Sequence, residues 1–457
     1  MSFFLPSGLT ALLLTAAPNP ASSPTLPIER YSLNNGLRVV LSEDHSAPIV
    51  TLFITYRVGA AQEVSGRTGF AHLFEHMMFN GSANVPEGAY SWYVGATGGV
   101  LNGNTEPDRT NYFQTVPSNF LEGMLWLEAD RMTSLDITDA SLSNEKDVVK
   151  EEVRQQQDNA PYAKTLLLEW PQQAFSSWEY AHSIYGSMQD LSNAPAQAFK
   201  DFFAQHYVPN NATLVICGDF EPTRAKDLVQ KYFGPVPKGP EQERSFPREA
   251  PQAAAVYRKV EDRLAQVPLA LISWDIPEPR TADRDALELL ASLLTEGASA
   301  RLPKRLIDDD KLAVQVMMRA GFPIPTYGPG QMVTLLVANR DVELEKLRSV
   351  LWQELERVQA EGVRMAEMRR AKAKIKKDHL DGLRKTVFKA QQLATYETFY
   401  GGADKFPNDY RRYDKIKRKD LQRVAKRYLT KQASVTFDIV PTPARNQAPA
   451  PTGGNER

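Results

Sequence analysis

The chain has 457 residues, with 54 Lys+Arg against 55 Asp+Glu, a formal net charge of −1 and 42% hydrophobic residues. This is the composition of a folded protein, and because one core rarely grows beyond ~250–300 residues, we expect at least two domains. The balanced charge excludes a generally basic nucleic-acid-binding protein. The single cysteine, Cys217, excludes an internal disulfide and any zinc site built on several thiolates. A metal in this chain must therefore be held by histidines and carboxylates.

The N-terminus, residues 1–26, contains an apolar run from Leu9 to Ala17, followed by small residues and prolines. This pattern predicts a secretory signal peptide and a periplasmic location, although no Lys or Arg precedes the run. A cytoplasmic or organelle-matrix location is the alternative. The chain has no stretch of ~20 apolar residues, so we expect no transmembrane helix.

Composition divides the rest of the chain. The polar, proline-rich segment 237–253 is interpreted as a linker between an N-terminal domain at 27–236 and a C-terminal domain at 254–441. Residues 442–457 are rich in Pro, Ala and Gly, which predicts a disordered tail.

The two predicted domains resemble diverged copies of one unit. Tyr207 and Tyr428 each precede an apolar strand, 221 residues apart, and Pro48 and Pro268 each lead into another strand, 220 residues apart. Two anchors with nearly one offset indicate an internal duplication. Each copy has strand-rich pieces at both ends, so we predict an α+β fold rather than a doubly wound parallel sheet.

A local excess of positive charge lies in residues 364–431, which hold 21 Lys+Arg and 8 Asp+Glu. No aromatic platform is interleaved with these charges, so we interpret them as solvated helix faces and expect no nucleic-acid partner. Docking of an acidic protein or peptide is the alternative.

The most specific motif is His72-Leu73-Phe74-Glu75-His76, within a predicted helix over 70–79. Residues four apart share one face of a helix, so His72 and His76 can direct two imidazoles at one point, with Glu75 beside them. Two neutral imidazoles suit zinc, and a carboxylate next to a metal site can accept a proton from water. The order H-x-x-E-H is itself a metalloprotease signature.

A third ligand is expected from the segment 144–157, which reads as a helix. On a helical projection Glu145 and Glu152 fall within an apolar stripe that includes Val148, whereas Glu151 lies off it. Buried carboxylates need a cation or hydrogen bonds, which favours Glu152 as a metal ligand and Glu145 as a support for the site. A solvated glutamate-rich helix is the alternative.

The motif HLFEH, followed by Glu145 and Glu152, resembles the pitrilysin-type (M16) inverted zinc metallopeptidases, a family that includes insulin-degrading enzyme, the mitochondrial processing peptidase and small two-domain bacterial members. The resemblance extends over about residues 27 to 440 and includes the segments Met77–Gly81, Gly98–Thr105 and Tyr185–Met188.

The resemblance implies two homologous domains, each a mainly antiparallel sheet packed with helices, that together form half of a clamshell. It implies zinc bound by His72, His76 and Glu152, Glu75 as the general base, and Glu145 as a residue that tunes the site. It also implies that Gly98–Thr105 is an edge strand on which a peptide substrate contacts Asn102 and Gly103. A plain loop is the alternative for this segment.

The chain departs from the family pattern at two positions. Active relatives supply an Arg and a Tyr, seven residues apart, to the substrate, and the matching positions here are Ile307 and Val314. The neighbouring Arg305 is the only substitute that we identify nearby. In the second copy, His72, Glu75 and His76 align with residues that cannot form the same zinc site, namely Glu288, Ala291 and Ser292.

These features lead us to predict a zinc endopeptidase subunit with one zinc per chain, active as a heterodimer with a homologous subunit that carries the Arg/Tyr pair. A non-proteolytic core or scaffold subunit of the same fold is one alternative. A peptide-binding protein that uses only the edge strand is the other.

Overall fold

Two β-sheets, one in each half of the chain, organise the fold. The computed structural model describes residues 26–442. The predicted signal peptide and C-terminal tail therefore lie outside the described residues, apart from Leu26 and Thr442.

The first sheet has the strand order β1-β2-β6-β3-β5-β4 and the second has β7-β11-β8-β10-β9. The strands are β1 (Glu29–Ser32), β2 (Arg38–Glu43), β3 (Ile49–Tyr56), β4 (Val100–Thr105), β5 (Thr110–Pro117), β6 (Ala212–Gly218), β7 (Val256–Asp262), β8 (Leu269–Ile276), β9 (Ala313–Ala320), β10 (Gly330–Ala338) and β11 (Ser434–Pro441). Apart from β1, the two orders are the same, and each sheet contains one parallel pair among antiparallel ones, β2–β6 and β7–β11. The α+β prediction is confirmed, and the shared strand order agrees with the duplication.

Helices cover both sheets and carry the residues of interest. They are α1 (Phe70–Met77), α2 (Ala89–Ala96), α3 (Leu121–Ser134), α4 (Asp139–Val153), α5 (Pro171–Ala174), α6 (Trp178–Ala181), α7 (Met188–Asn193), α8 (Ala196–His206), α9 (Pro222–Phe233), α10 (Ala282–Thr295), α11 (Arg301–Pro303), α12 (Leu344–Glu361), α13 (Met365–Gly382), α14 (Thr386–Phe399) and α15 (Arg418–Tyr428). Short π-helical turns follow at Arg154–Asp158, Thr165–Glu169 and Lys304–Asp309. Within residues 26–442, none of the helices combines the length and apolarity that a membrane span needs.

Each half sends a segment to the outer face of the other half's sheet. Helix α14, from the second half, packs on β2, β3 and β6, with Leu393 against Phe53 and Val215 in one apolar cluster. In return, Trp170 packs in the core of the second sheet and donates a hydrogen bond from Nε1 to the Ser273 hydroxyl (2.9 Å). Neither sheet is therefore covered by its own half alone.

A buried ion pair fixes α14 to the first sheet. Lys389 of α14 is only 2% exposed, and its ammonium group donates to the carboxylate of Asp44, which follows β2. That hydrogen bond is the main reason that the pKa of Asp44 is lowered to about 2 from its ordinary 3.8.

We predict that Asp44→Asn lowers the free energy of unfolding by about 3 kcal/mol at pH 7, because it leaves a buried ammonium group without its partner. The pKa of Asp44 is depressed in the folded state, so its contribution is present above its unfolded value of 3.8 and is lost as the pH falls towards about 2. The difference in the free energy of unfolding between the variant and the unaltered chain, measured by urea denaturation, should therefore be smaller at pH 3 than at pH 7. Asp404→Asn, which removes one of the two carboxylate partners of exposed Arg30, is the control and should cost at most ~1 kcal/mol.

Candidate metal centre

Helix α1 is held at its N-terminus by a buried carboxylate from outside the helix. The preceding residue, Gly69, has a left-handed backbone (φ 86°) and offers no side-chain cap. Glu63 supplies the acceptors instead, taking hydrogen bonds from the backbone N–H groups of Gly69 (2.8 Å) and Ala71 (2.9 Å). His182 lies 3.3 Å from the same carboxylate. The helix that bears the H-x-x-E-H motif is therefore fixed one residue before His72.

The three expected ligands meet in one place. Nε2 of His76 lies 3.0 Å from Oε2 of Glu152, and Nε2 of His72 lies 3.7 Å from the same oxygen. One ligand atom from each of these residues lies within 4.8 Å of the other two. Across residues 26–442, this is the only group of three or more His, Cys, Asp or Glu side chains that converges in this way.

The charges of the site fit a divalent cation. Burial, assisted by the neighbouring His76, lowers the pKa of His72 to about 4, so this imidazole is neutral near pH 7. A hydrogen bond with His76 keeps the pKa of Glu152 below its ordinary value. Among the described residues, the ion pairs and hydrogen bonds of Glu75, Glu145 and Glu152 include no Lys or Arg. Two imidazoles and a carboxylate form a donor set typical of zinc, and the surplus of carboxylates favours a cation.

Glu145 lies on the far side of His76. Its Oε2 is 3.6 Å from Nδ1 of His76, and its Oε1 accepts a hydrogen bond from the side-chain amide of Asn80 (2.7 Å). A carboxylate at the second ring nitrogen of a metal-binding histidine fixes the orientation and tautomer of the ring. Asn80 in turn fixes Glu145.

The carboxylate of Glu75 is held by strand β4. The Thr105 hydroxyl donates a hydrogen bond to Oε2 of Glu75 (2.7 Å). Burial is the main cause that raises the pKa of Glu75, although the Thr105 hydrogen bond opposes it. A Cβ at Gly103 would lie 3.0 Å from Cγ of Glu75 and 3.2 Å from the Phe79 ring, so glycine lets the strand approach the carboxylate.

The segment predicted to bind substrate lies at a sheet edge. Among residues 26–442, strand β4 pairs only with β5, so its other edge has no paired strand there. The Asn102 side chain is exposed, and its Oδ1 accepts a hydrogen bond from the N–H of Gly103 (2.8 Å). An added peptide strand would have to displace this side chain to reach that N–H group.

The three residues that converge here are those expected from the sequence, but several of their neighbours had no role assigned to them. Thr105 and Asn80 lie inside segments that carry the family resemblance, and Tyr185, whose ring packs edge-on against His72 at 4.8 Å, lies in a third. One detail of the helical projection was wrong: Val148, placed in the apolar stripe, is 50% exposed. The segment 144–157, predicted to be one helix, is α-helical as far as Val153, where α4 ends, and continues as a π-helical turn.

The second half keeps the frame of this site with different side chains. Glu288 of α10 is bound by Arg284 (2.9 Å) and Arg412 (3.3 Å) and accepts a hydrogen bond from the Tyr413 hydroxyl (2.6 Å). Burial would raise the pKa of Glu288, but the two arginines outweigh it and lower the pKa. Protein cations thus occupy the surroundings of Glu288.

The positions matching the Arg/Tyr pair offer no donor. Ile307 packs against the core of the second half, and Val314 on the edge strand β9 is 54% exposed. Arg305 is bound to Glu354 (3.1 Å) and Gln353 (2.6 Å), which leaves it poorly placed to act as a substitute.

Two family models match the chain. The model for insulinase (peptidase family M16) matches residues 38–187, and the model for the M16 inactive domain matches residues 193–375. The zinc protease PqqE of Helicobacter pylori is 28% identical over 438 residues, which cover 94% of this chain and 97% of that protein.

Solved structures and other relatives extend the comparison. The crystal structure of a protease from Helicobacter pylori has a TM-score of 0.85 and 26% identity, covering 91% of this chain and 100% of that one. Subunit 1 of the mitochondrial cytochrome b-c1 complex of Rattus norvegicus is 25% identical over 258 residues, 56% of this chain and 52% of that protein. With both domain models matched in order and a relative matched over 97% of its own length, the chain belongs to the M16 peptidase family and has its small two-domain form.

Proposed function

We propose that this chain is the zinc-bearing subunit of an endopeptidase. One observation carries the proposal: His72 and His76 of α1 meet Glu152 of α4, while Glu75 on the same helix is held at an open strand edge. In this proposal His72, His76 and Glu152 bind one zinc ion per chain, and Glu145 orients His76. The relatives named zinc proteases support the assignment at the level of the family.

Zinc at this site would polarise a peptide carbonyl and lower the pKa of a nearby water molecule. Glu75 supplies the proton transfer. Its Oε2 is engaged by the Thr105 hydroxyl, so Oε1 is the atom available to take a proton from water. The same oxygen then delivers that proton to the leaving amine nitrogen. Burial raises the pKa of Glu75, which favours uptake of a proton by this carboxylate.

The substrate is proposed to be a peptide in extended conformation. An extended segment can pair with the open edge of β4, with Asn102 and Gly103 in contact with its backbone. Main-chain hydrogen bonds give affinity without demanding a particular sequence, which suits short or unfolded peptides.

A partner subunit is part of the proposal. Ile307 and Val314 have no hydrogen-bond donor for the developing oxyanion, and losing one such donor typically costs ~10²–10³ in rate. We therefore infer that a homologous subunit with an Arg and a Tyr at these positions completes the enzyme. We infer a periplasmic location as well, from the apolar run in residues 1–26.

A scaffold role is the second candidate. The similarity to subunit 1 of the cytochrome b-c1 complex supports it, since that protein is a subunit of a larger assembly. The convergence of His72, His76 and Glu152 argues against it, because a scaffold would not require a metal-binding donor set.

For metal binding, we predict one equivalent of zinc per chain and a tenfold to hundredfold weaker zinc affinity in Asn80→Ala, because Glu145 would lose the hydrogen bond that orients it. Competition with a chelator measures this affinity. The control is Asn84→Ala, which removes a similar amide–carboxylate hydrogen bond, to Asp130 (2.6 Å), away from the ligands. Equal affinities in the two variants would contradict the role of Asn80.

For catalysis, we predict that Glu75→Gln lowers kcat by ~10²–10⁴ while zinc content is unchanged, since the amide cannot accept the proton. The assay uses the complex purified from its own host through a tag on this chain, with a quenched fluorescent peptide. Glu151→Gln, at an exposed position of α4 outside the ligand set, should cleave like the unaltered complex. Undiminished cleavage by the zinc-loaded Glu75→Gln complex would refute the mechanism.

For the partner, we predict that the purified chain alone cleaves the peptide at least ~10²-fold more slowly than the complex from its host, because neither Ile307 nor Val314 can donate a hydrogen bond to the developing oxyanion. If the unaltered chain alone already cleaves as fast as the complex from its host, no partner is needed.

A further inference from the structure

A small cavity of about 250 Å³ lies where the two halves of the chain meet, next to the metal centre. Its floor is the end of β4 and the turn that follows, residues 104–107. Leu167 and Ile184 form a second wall, and Pro323–Pro325, in the connection between β9 and β10, form the third. We call this cavity the interlobe pocket.

The pocket adjoins the proposed catalytic groups on two sides. Thr105 lines it, and the same residue donates its hydroxyl hydrogen to Glu75. Ile184 also lines it and directly precedes Tyr185, whose ring lies 4.8 Å from the ring of His72. Thr105 contacts both the pocket and Glu75. Because residues along a strand are ~3.3 Å apart, we expect the peptide side chain that enters the pocket to lie within about two residues of the bond beside Glu75.

The polar groups at the pocket are already paired with one another. Both carboxylate oxygens of Glu106 accept from Arg109 (2.9 and 3.0 Å). The Asn104 amide donates to Glu106 (3.2 Å) and accepts from Asn111 (3.1 Å). What remains for an occupant is the apolar surface of Leu167, Ile184, Ile324 and the prolines, so the pocket favours a hydrocarbon side chain.

The wall from the second half is held firmly in place. The N–H of Tyr327 donates to the buried carboxylate of Asp108 (2.7 Å), which directly follows Pro107, and the Arg109 guanidinium lies 4.9 Å from the centre of the Tyr327 ring. Asp108 also accepts a hydrogen bond from the Tyr180 hydroxyl (3.0 Å). The pocket is thus formed in the free chain, without requiring an occupant to draw the halves together.

We propose that the interlobe pocket binds one apolar side chain of the substrate peptide, within two residues of the cleaved bond, and so sets a preference for aliphatic or aromatic residues there. This inference rests on the proposed peptidase function. It also gives the metal-free second half a direct part in recognition, because Pro323–Pro325 would contact the bound side chain.

The test measures peptide binding to the zinc-loaded full-length chain carrying Glu75→Gln, which cannot turn the peptide over. The probes are two fluorescein-labelled decapeptides of Ser, Thr and Gly, identical except for a central Leu in one and Ser in the other. Fluorescence polarisation should give at least ~10-fold tighter binding of the Leu peptide, the gain expected when one side chain leaves water.

Variants of the walls decide whether this preference comes from the pocket. Leu167→Glu places a charge in it and should abolish the preference, whereas Leu168→Glu, on the same helical turn but outside the pocket lining, should retain it. Ile184→Ala enlarges the pocket and should shift the preference from Leu towards a Phe peptide, which gives a second reading should Leu167→Glu fail to fold.

Equal binding of the two peptides, no binding of either, or a preference unchanged in both Leu167→Glu and Ile184→Ala would overturn the pocket assignment. These results are separable from failure of the proposed function. The zinc content of the chain and the Glu75-dependent cleavage by the host complex do not depend on which side chain the pocket accepts.

Discussion

The position of α1 relative to α4 and β4 is the constraint on which the candidate site depends. Two of the proposed ligands come from α1 and the third from α4, and the carboxylate of Glu75 must also reach the strand edge. A shift of α1 by one residue would rotate His72 and His76 by about 100° and separate them from Glu152. Glu63 opposes such a shift, since it binds two backbone N–H groups at the start of the helix. A buried carboxylate outside the set of proposed ligands thus helps to form the site.

Sequence reasoning succeeded where local geometry decides the outcome. The spacing of His72 and His76 on a helix requires no tertiary information, and the helical projection identified Glu145 and Glu152 because both share one face of α4. Val148 failed the same projection, since a helix face is buried only where a neighbour covers it. The roles of Thr105 and Asn80 depend on contacts across 30 and 65 residues of chain, which no periodicity encodes.

The exchange of helices between the halves could not be predicted in this way either. The duplication suggested two consecutive domains, each with its own core. Helix α14 nevertheless packs on the first sheet and Trp170 on the second, because both sheets have two apolar faces to cover. As a consequence, the second half is in direct contact with the parts of the chain that form the candidate site. It packs through α14 on the sheet that contains β4, and it also provides one wall of the interlobe pocket.

The two halves solve one electrostatic problem in different ways. Both place acidic groups on the helix that faces an edge strand, and a partly buried carboxylate there needs a positive partner. Around Glu288 the chain provides its own cations, Arg284 and Arg412, so that half is complete without a ligand. Around Glu75, Glu145 and Glu152 the described residues provide two imidazoles and no arginine or lysine. The same frame that forms a closed salt-bridge network in the second half therefore leaves a place for an external cation in the first. It is the side chains at the matching positions of α1 and α10, rather than the fold, that distinguish the candidate metal centre from the salt-bridge network.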